Sequence, residues 1–204
     1  MIDTDDSYIL RQLDDHIKAD NVVEFFSLLD SAKMPIDYND NHLFILVCKV
    51  GAINIFNKLL THSEVDPTAQ DNYPLQSAAH HNHVKIFKIL LADSRVDPTA
   101  SNNFALYTAG AHNYIKIVDM LLADSRVDPS VQNNSIVLNT HKYNNIQIVK
   151  KLLKDRRVLQ KLKQQNAIET IFYSRSEVNI NNLLIDSFDY IKNETDAKTF
   201  IDLI

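Results

Sequence analysis

Pairs of apolar residues recur along the chain at a fixed spacing of 31 residues. The clearest pairs, Leu90/Leu91 and Leu121/Leu122, both lie within the nine-residue sequence LLADSRVDP, which occurs twice without change. The same spacing gives further pairs at Leu28/Leu29, Leu59/Leu60, Leu152/Leu153 and Leu183/Leu184. A constant period of this length is typical of a solenoid, in which each unit buries its apolar face against its neighbours. The pattern therefore predicts a stack of repeated units.

The apolar positions around each pair follow the period of an α-helix. In the segment IFKILL, residues 86–91, they fall at i, i+1, i+4 and i+5. This spacing forms one stripe along an amphipathic helix. We therefore expect Leu91 and Leu122 to lie in the core that neighbouring units share, and Lys88 to lie on the outward side.

A shorter helix is predicted upstream of each longer one. It begins near Pro74, because proline is favoured in the first turn of a helix, and it carries the small residues Ala78 and Ala79 where another helix could approach closely. Between the two helices stand residues that tolerate a left-handed backbone: Gly51, Asn82, Asn113 and Asn144. Each unit is thus predicted to be a helical hairpin.

The connection between units is polar and contains proline. Pro98 and Pro129 end the preceding helix, since proline disfavours a helical residue before it, and the chain returns through a stretch such as Thr99–Asn103. Charged residues recur in these connections, and we expect them to form an alternating ladder that is worth little per pair if exposed. They are Arg95, Asp97, Arg126 and Asp128.

These features together resemble the ankyrin-repeat family, whose unit has two antiparallel helices and a T-P-L-H-x-A signature. The match is YPLQSA at residues 73–78, followed by NHVKIFKILL at residues 82–91, which resembles the second helix and its preceding turn. The resemblance implies an all-α, ankyrin-type α-solenoid of stacked helix-turn-helix repeats with short finger loops. Because the unit is about two residues shorter than usual, we do not expect a full β-hairpin finger.

The ends of the chain depart from the internal pattern. We expect a degenerate N-terminal capping repeat at residues 1–35, four repeats of about 31 residues at 36–158, and a degenerate C-terminal capping repeat and helix at 159–204. Leu159 and Gln160 replace Asp-Pro, which predicts that the series of fingers ends there. Terminal repeats need a polar outer face, and this explains why they differ.

Composition excludes several classes of protein. The net charge of -5 argues against wholesale binding of nucleic acid. Two glycines in the whole chain make a phosphate-cradling loop hard to build, and no nucleophile elbow or paired metal-ligand spacing is present, so we expect no enzyme and no cofactor. The single cysteine, Cys48, suits a reducing compartment, and its alignment with Ala79 predicts a buried, inert thiol. We therefore expect a cytoplasmic protein without a membrane segment.

Two clusters of side chains have more than one interpretation. The histidines His80, His81, His83 and His112 could bind a metal, but four ligands around one point are not evident, so we interpret them as surface residues. Residues 142–163 carry eight basic groups against Asp155 alone. This basic block is either a solvated helix face or an electrostatic dock for nucleic acid or an acidic partner.

The resemblance implies binding of another protein by a monomer, on the surface formed by the fingers and the shorter helices. Histidine and tyrosine suit such an interface because each has a broad face and a polar tip. The chain is also similar to Asp-Pro-containing repeats of amoebae, their giant viruses and intracellular bacteria, which implies an adaptor or inhibitor in the cytosol of a host cell. The predicted partner-binding residues are Asn72, His80, His81, Asn103, Tyr107, His112, Lys142 and Tyr143.

Overall fold

The structure is a computed structural model that describes residues 4–143 and 145–164. Within these residues it contains eleven helices and no strand, which confirms the predicted all-α fold. The chain forms two compact units, Met1–Val127 and Asp128–Ile204. The first unit contains α1 (Thr4–Lys18), α2 (Val22–Ala32), α3 (Tyr38–Val50), α4 (Ile53–Leu59), α5 (Ala69–His80), α6 (Val84–Ala92), α7 (Ala100–Ala111) and α8 (Ile115–Ala123). The second contains α9 (Val131–Lys142), α10 (Ile146–Leu152) and α11 (Arg156–Gln164).

The helices of the first unit pair in chain order and stack in two layers. Each odd-numbered helix packs against the next helix to form a hairpin. The first helices of successive hairpins contact one another, α1 with α3, α3 with α5 and α5 with α7, and the second helices do the same from α2 to α8. This arrangement confirms the stacked hairpins that the 31-residue period predicts.

The core lies between the two layers and is built from the apolar stripe of the second helices. In α6, Ile86, Phe87 and Leu90 are at most 1% exposed. The prediction that Leu91 and Leu122 belong to this core is wrong, because both are only half-buried. One residue step turns a helix by about 100°, so the residue after Leu90 lies at the flank of the stripe. Lys88 is exposed, as expected.

The turns within the hairpins have the predicted left-handed backbone. Gly51 has φ 88°, Asn82 has φ 59° and Asn113 has φ 62°, whereas Asn144 lies outside the described residues. Asp20 occupies the same position in the first hairpin with φ 49°. Its carboxylate accepts hydrogen bonds of 3.0–3.1 Å from backbone N–H groups at the start of α4, and it thereby joins the first hairpin to the second.

Small residues allow the first helices to pack closely. Cys48 in α3, Ala78 and Ala79 in α5 and Ala109 in α7 are all 0% exposed. A larger side chain at these positions would hold neighbouring helices apart, since protein interiors are close-packed. The sequence prediction of a close helix approach is confirmed here.

Each internal connection ends in a short left-handed turn of three residues. These turns lie at residues 39–41, 70–72 and 101–103, and every φ in them is between 49° and 61°. Right-handed helix follows directly, so Pro74 lies in the first turn of the regular part of α5. This compact turn occupies the place of a finger.

The charged residues of the connections pair within their own repeat. Arg95 contacts Asp93 at 2.6 Å, and Arg126 contacts Asp124 at 2.6 Å. The guanidinium hydrogen bond holds the pKa of each of these two carboxyl groups below its usual range. The expected alternation of arginine with Asp97 along the stack is therefore not the main arrangement. Arg126 also links its repeat to the preceding one, because it donates to the carbonyl groups of Val96 at 2.8 Å and Leu91 at 2.9 Å.

The second unit is built around α9, against which α10 and α11 both pack. Its core contains residues that are at most 1% exposed: Ile136, Val137, Ile148, Val149, Leu152, Val158 and Leu162. Helix α11 passes through Leu159 and Gln160, at the position where earlier repeats carry Asp-Pro. The predicted C-terminal capping repeat and helix at 159–204 lie outside the described residues from residue 165 onward.

Candidate partner-binding surface

Three large aromatic side chains are exposed on the first helices of neighbouring repeats. Tyr73 in α5 is 45% exposed, and Phe104 and Tyr107 in α7 are 38% and 37% exposed. We call these three residues the aromatic strip. Tyr73 and Phe104 occupy equivalent positions, and Tyr107 lies on the same side of α7 as Phe104 because residues three apart are neighbours on a helix. Exposed apolar side chains in such a group indicate an interaction site.

Tyr107 was among the predicted partner-binding residues, whereas Tyr73 and Phe104 were not. Both follow directly after a left-handed turn. The signal that could have found them is their common position, 31 residues apart and one residue after an asparagine.

Two of the predicted surface residues, Asn72 and Asn103, are buried instead. They are 8% and 3% exposed. The side-chain oxygen of Asn72 accepts a hydrogen bond of 2.8 Å from the backbone N–H of Asp97. Asn41 does the same for Asp66 at 2.9 Å. Each of these asparagines is the last residue of a left-handed turn, and their burial makes Asn72 and Asn103 unavailable to a partner.

The left-handed turns are also linked to one another by side chains. Ser101 Oγ donates a hydrogen bond of 2.8 Å to Asp71 Oδ2, and Gln70 Nε2 donates one of 3.3 Å to the carbonyl of Asp40. Gln76 Nε2 donates to the carbonyl of Asp71 at 2.6 Å and to Ser101 Oγ at 3.2 Å. The turns that precede Tyr73 and Phe104 are therefore held together by hydrogen bonds.

At the other end of the same helices, three imidazole rings lie in contact. We call His80, His81 and His112 the histidine cluster; all three are exposed. The ring centroids of His80 and His81 are 4.8 Å apart, and those of His80 and His112 are 5.2 Å apart, both edge to face. Tyr114 stacks on His112 with centroids 5.5 Å apart. The structure thus brings together three residues that the sequence analysis assigned to the partner surface.

Hydrogen bonds to backbone carbonyls orient two of these rings. His81 Nδ1 lies 2.9 Å from the carbonyl oxygen of Ser77, and His112 Nδ1 lies 2.9 Å from that of Thr108. Because a carbonyl oxygen only accepts, Nδ1 carries the proton in both rings. His80 Nδ1 contacts the Thr108 hydroxyl at 3.0 Å. Burial lowers the pKa of His80, and the neighbouring His81, His112 and Lys49 lower it further.

The repeated hairpins can be compared with known protein families. Residues 43–133 match the family model of ankyrin repeats in three copies. This segment consists of ankyrin repeats. The finding confirms the resemblance drawn from the signature and from the second helix. A search of curated proteins found no match to the chain.

Ankyrin repeats are in general modules for protein–protein interaction, and the family is typically non-catalytic. Across the described residues, no three or more histidine, cysteine or acidic side chains are grouped so that they could hold a metal ion. His83, which the sequence analysis had grouped with the cluster, donates from Nε2 to the carbonyl of Lys49 at 2.9 Å. It therefore joins one ankyrin repeat to the preceding one.

Cys48 lies inside the ankyrin-repeat segment and is 0% exposed. Burial raises the pKa of its thiol well above the usual range. The prediction of a buried thiol is confirmed, and a buried neutral thiol is a weak nucleophile. In the part of the chain that the structure describes, no helix combines the length and the apolar character needed to cross a membrane.

The remaining predicted residues lie in the second unit. Lys142 and Tyr143 follow one another at the end of α9, and both are exposed, Tyr143 by 55%. In the basic block, Arg157 contacts Asp155 at 2.7 Å and Asp128 at 3.8 Å. Part of the positive charge of the block is therefore compensated within the unit.

Proposed function

We propose that this ankyrin-repeat chain is a non-catalytic module that binds another protein through the exposed side of α5 and α7. The observation that carries the proposal is the aromatic strip, since Tyr73, Phe104 and Tyr107 are 37–45% exposed on helices whose other large apolar residues, such as Leu75 and Leu106, are buried. Tyrosine and other aromatic residues supply much of the binding energy at protein interfaces. Their exposure here supports recognition of an apolar or aromatic feature of the partner.

The hydrogen-bonded turns that precede the aromatic strip support the same function. Hydrogen bonds link the turn at residues 70–72 to the turn at residues 101–103, and the buried Asn72 holds the following connection. A surface that is ordered before binding loses less conformational entropy when the partner arrives. The strip is thus presented on a preorganised support.

The proposed partner surface of the first unit also includes His80, His81 and His112. In the second unit, considered by itself, Lys142 and Tyr143 remain proposed partner-binding residues. A non-catalytic binding module acts either by blocking a surface of its partner or by connecting the partner to another molecule. We therefore propose an adaptor or an inhibitor. The similarity to repeats of amoeba-associated viruses and bacteria supports a target inside a host cell.

A capture experiment tests the proposal. The parent chain and a variant with Tyr73→Ser, Phe104→Ser and Tyr107→Ser are immobilised and exposed to a cell extract, and bound proteins are identified by mass spectrometry. We expect a protein that the parent retains and the variant loses, while the helical signal in circular dichroism is unchanged. The side chains are partly exposed, so their loss leaves the core intact.

The matched control replaces Lys150, Lys151 and Lys154 with glutamine. Under the proposed function this variant keeps the partner. The alternative function, an electrostatic dock in the basic block, predicts the reverse, with binding lost in the lysine variant and steeply weakened by salt. Partner binding at parental strength by the serine variant would show that α5 and α7 do not carry the site.

A further inference from the structure

We propose that the histidine cluster is an acid-recognition site, in which His80, His81 and His112 bind a carboxylate group of the protein partner and make that binding tighter at lower pH. This inference rests on the proposed function, because it names the chemistry of the partner at one end of the same surface. It follows from the packing of the three rings and from the charges around them.

His80 is surrounded by other basic groups. The groups that act on it electrostatically are His81, which follows α5 directly, His112, which follows α7 directly, and Lys49 at the end of α3. Every one of them is positive when it is ionised, and His83 and Tyr114 stack at the edges of the cluster. With ring centroids 4.8 and 5.2 Å apart, several protonated imidazoles would repel one another. Full protonation therefore calls for a negative group from outside these residues.

Protonation changes the hydrogen bonds that the rings of His81 and His112 can make. In His81 and His112, Nδ1 is already used as a donor to the carbonyl groups of Ser77 and Thr108. In the neutral ring Nε2 is then an acceptor, and protonation converts it to a donor. A carboxylate only accepts hydrogen bonds, so it can bind Nε2 in the protonated ring and not in the neutral one.

Binding of a carboxylate to the histidine cluster is therefore expected to depend on pH. A carboxylate that binds the protonated cluster raises the pKa of its imidazoles, and by reciprocity a lower pH tightens the complex. Unperturbed histidine titrates near pH 6.5, and because the pKa of His80 is lowered, we expect the tightening at this ring as the pH falls below that value. One imidazole whose pKa rises by about one unit on binding gives up to tenfold tighter binding, and three such rings give more.

The test uses the intact chain and a defined acidic probe, a ten-residue peptide of alternating glutamate and glycine. A peptide with glutamine in place of glutamate is the neutral control. Binding is followed by the histidine Cε1–H signals in NMR spectra at about pH 5.5 and 7.5. We expect the glutamate peptide to shift the His80 and His112 signals at the lower pH, with a dissociation constant about tenfold or more below that at the higher pH.

Two variants locate the effect. The triple variant His80→Asn, His81→Asn and His112→Asn cannot be protonated at any of the three positions, so we expect it to lose the pH-dependent binding. His42→Asn, which replaces an exposed histidine near the start of α3, is expected to behave like the parent. Circular dichroism at both pH values shows that each variant is folded.

Several results would overturn the inference: no shift at the lower pH, equal binding at both pH values, equal binding of the glutamine peptide, or full binding by the triple variant. A different result would contradict the proposed function alone. If the peptide binds as expected but the serine variant of the aromatic strip still captures its protein partner, the acid-recognition site stands and the aromatic partner surface does not.

Discussion

The side-chain oxygen of Asn72 accepts a hydrogen bond of 2.8 Å from the backbone N–H of Asp97, which lies 25 residues further along the chain. Asp97 in turn accepts hydrogen bonds of 2.8 Å and 2.7 Å from the backbone N–H and hydroxyl of Thr99. The last residue of one left-handed turn thus fixes the connection that leads to the next turn. Asn41, Asp66 and Thr68 repeat this arrangement one unit earlier.

Removal of the Asn72 side chain should therefore destabilise the fold. Asn72→Gly keeps the backbone free to adopt φ 61° but leaves the N–H of Asp97 without its acceptor, which we expect to lower the free energy of unfolding by about 1–3 kcal/mol. The matched control is Asn102→Gly, at an exposed position with φ 60°. Urea unfolding of both variants measures the difference. Equal stability of the two would show that the hydrogen bond contributes nothing.

The helices could be predicted from the sequence because burial repeats with the chain. Each hairpin places Ile86, Phe87, Leu90 and their equivalents against the same neighbours, so the apolar period reports the stacking directly. The turn residues Asn82 and Asn113 were predictable for a local reason, since few residue types accept a left-handed backbone. These features depend on short stretches of sequence.

The candidate site was less predictable because its contacts join separate repeats. Asn72 has the sequence surroundings of a solvated loop residue, and only the position of Asp97 in the next repeat gives it a buried role. Tyr73 and Phe104 are aromatic, which favours burial in general, yet their place just after the turn leaves them exposed. The contact between His80 and His112 likewise depends on how α5 and α7 stack.

The boundary of the core gives a second prediction. Leu90 is 1% exposed and Leu91 is half-buried, so Leu90→Ala should lower the free energy of unfolding by about 2–5 kcal/mol and Leu91→Ala by clearly less. Lys88→Ala, at an exposed position of the same helix, should change it by less than about 0.5 kcal/mol. Chemical denaturation of the three variants checks this order. A larger loss for Leu91→Ala than for Leu90→Ala would contradict the burial pattern.

The turn at Gly51 gives a third prediction. A Cβ atom on Gly51 would meet the His83 ring at 2.3 Å, and φ at Gly51 is +88°. Gly51→Ala should therefore destabilise the chain both by backbone strain and by displacement of His83 from its hydrogen bond to Lys49, by more than about 1 kcal/mol in total. Thermal unfolding measures the loss.

A double-mutant cycle separates these two causes. His83→Ala removes the ring that a Cβ atom would strike, so the added effect of Gly51→Ala should be smaller in that background than in the parent. The strain from the positive φ remains in both backgrounds. Strict additivity of the two substitutions would show that the contact between Gly51 and His83 plays no part.

The lowered pKa of His80 gives a prediction about stability and pH. Burial is its first cause, followed by His81, His112 and Lys49. The folded chain therefore binds a proton at this ring less readily than the unfolded chain, whose histidines titrate near pH 6.5. The contribution of neutral His80 to the free energy of unfolding is fully present above about pH 6.5. It is lost as the pH falls through the pKa of His80 in the folded chain, which lies below that value.

The comparison that isolates His80 is between the parent and His80→Asn, unfolded in urea at pH values from about 7.5 to 5.5. The paired carboxyl groups such as Asp93 have a lowered pKa, so their contribution is lost only below about pH 4, outside this range. We expect the parent to lose stability relative to the variant as the pH falls, since asparagine cannot take up a proton. A constant difference across the range would mean that His80 is protonated as easily in the folded chain as in the unfolded one.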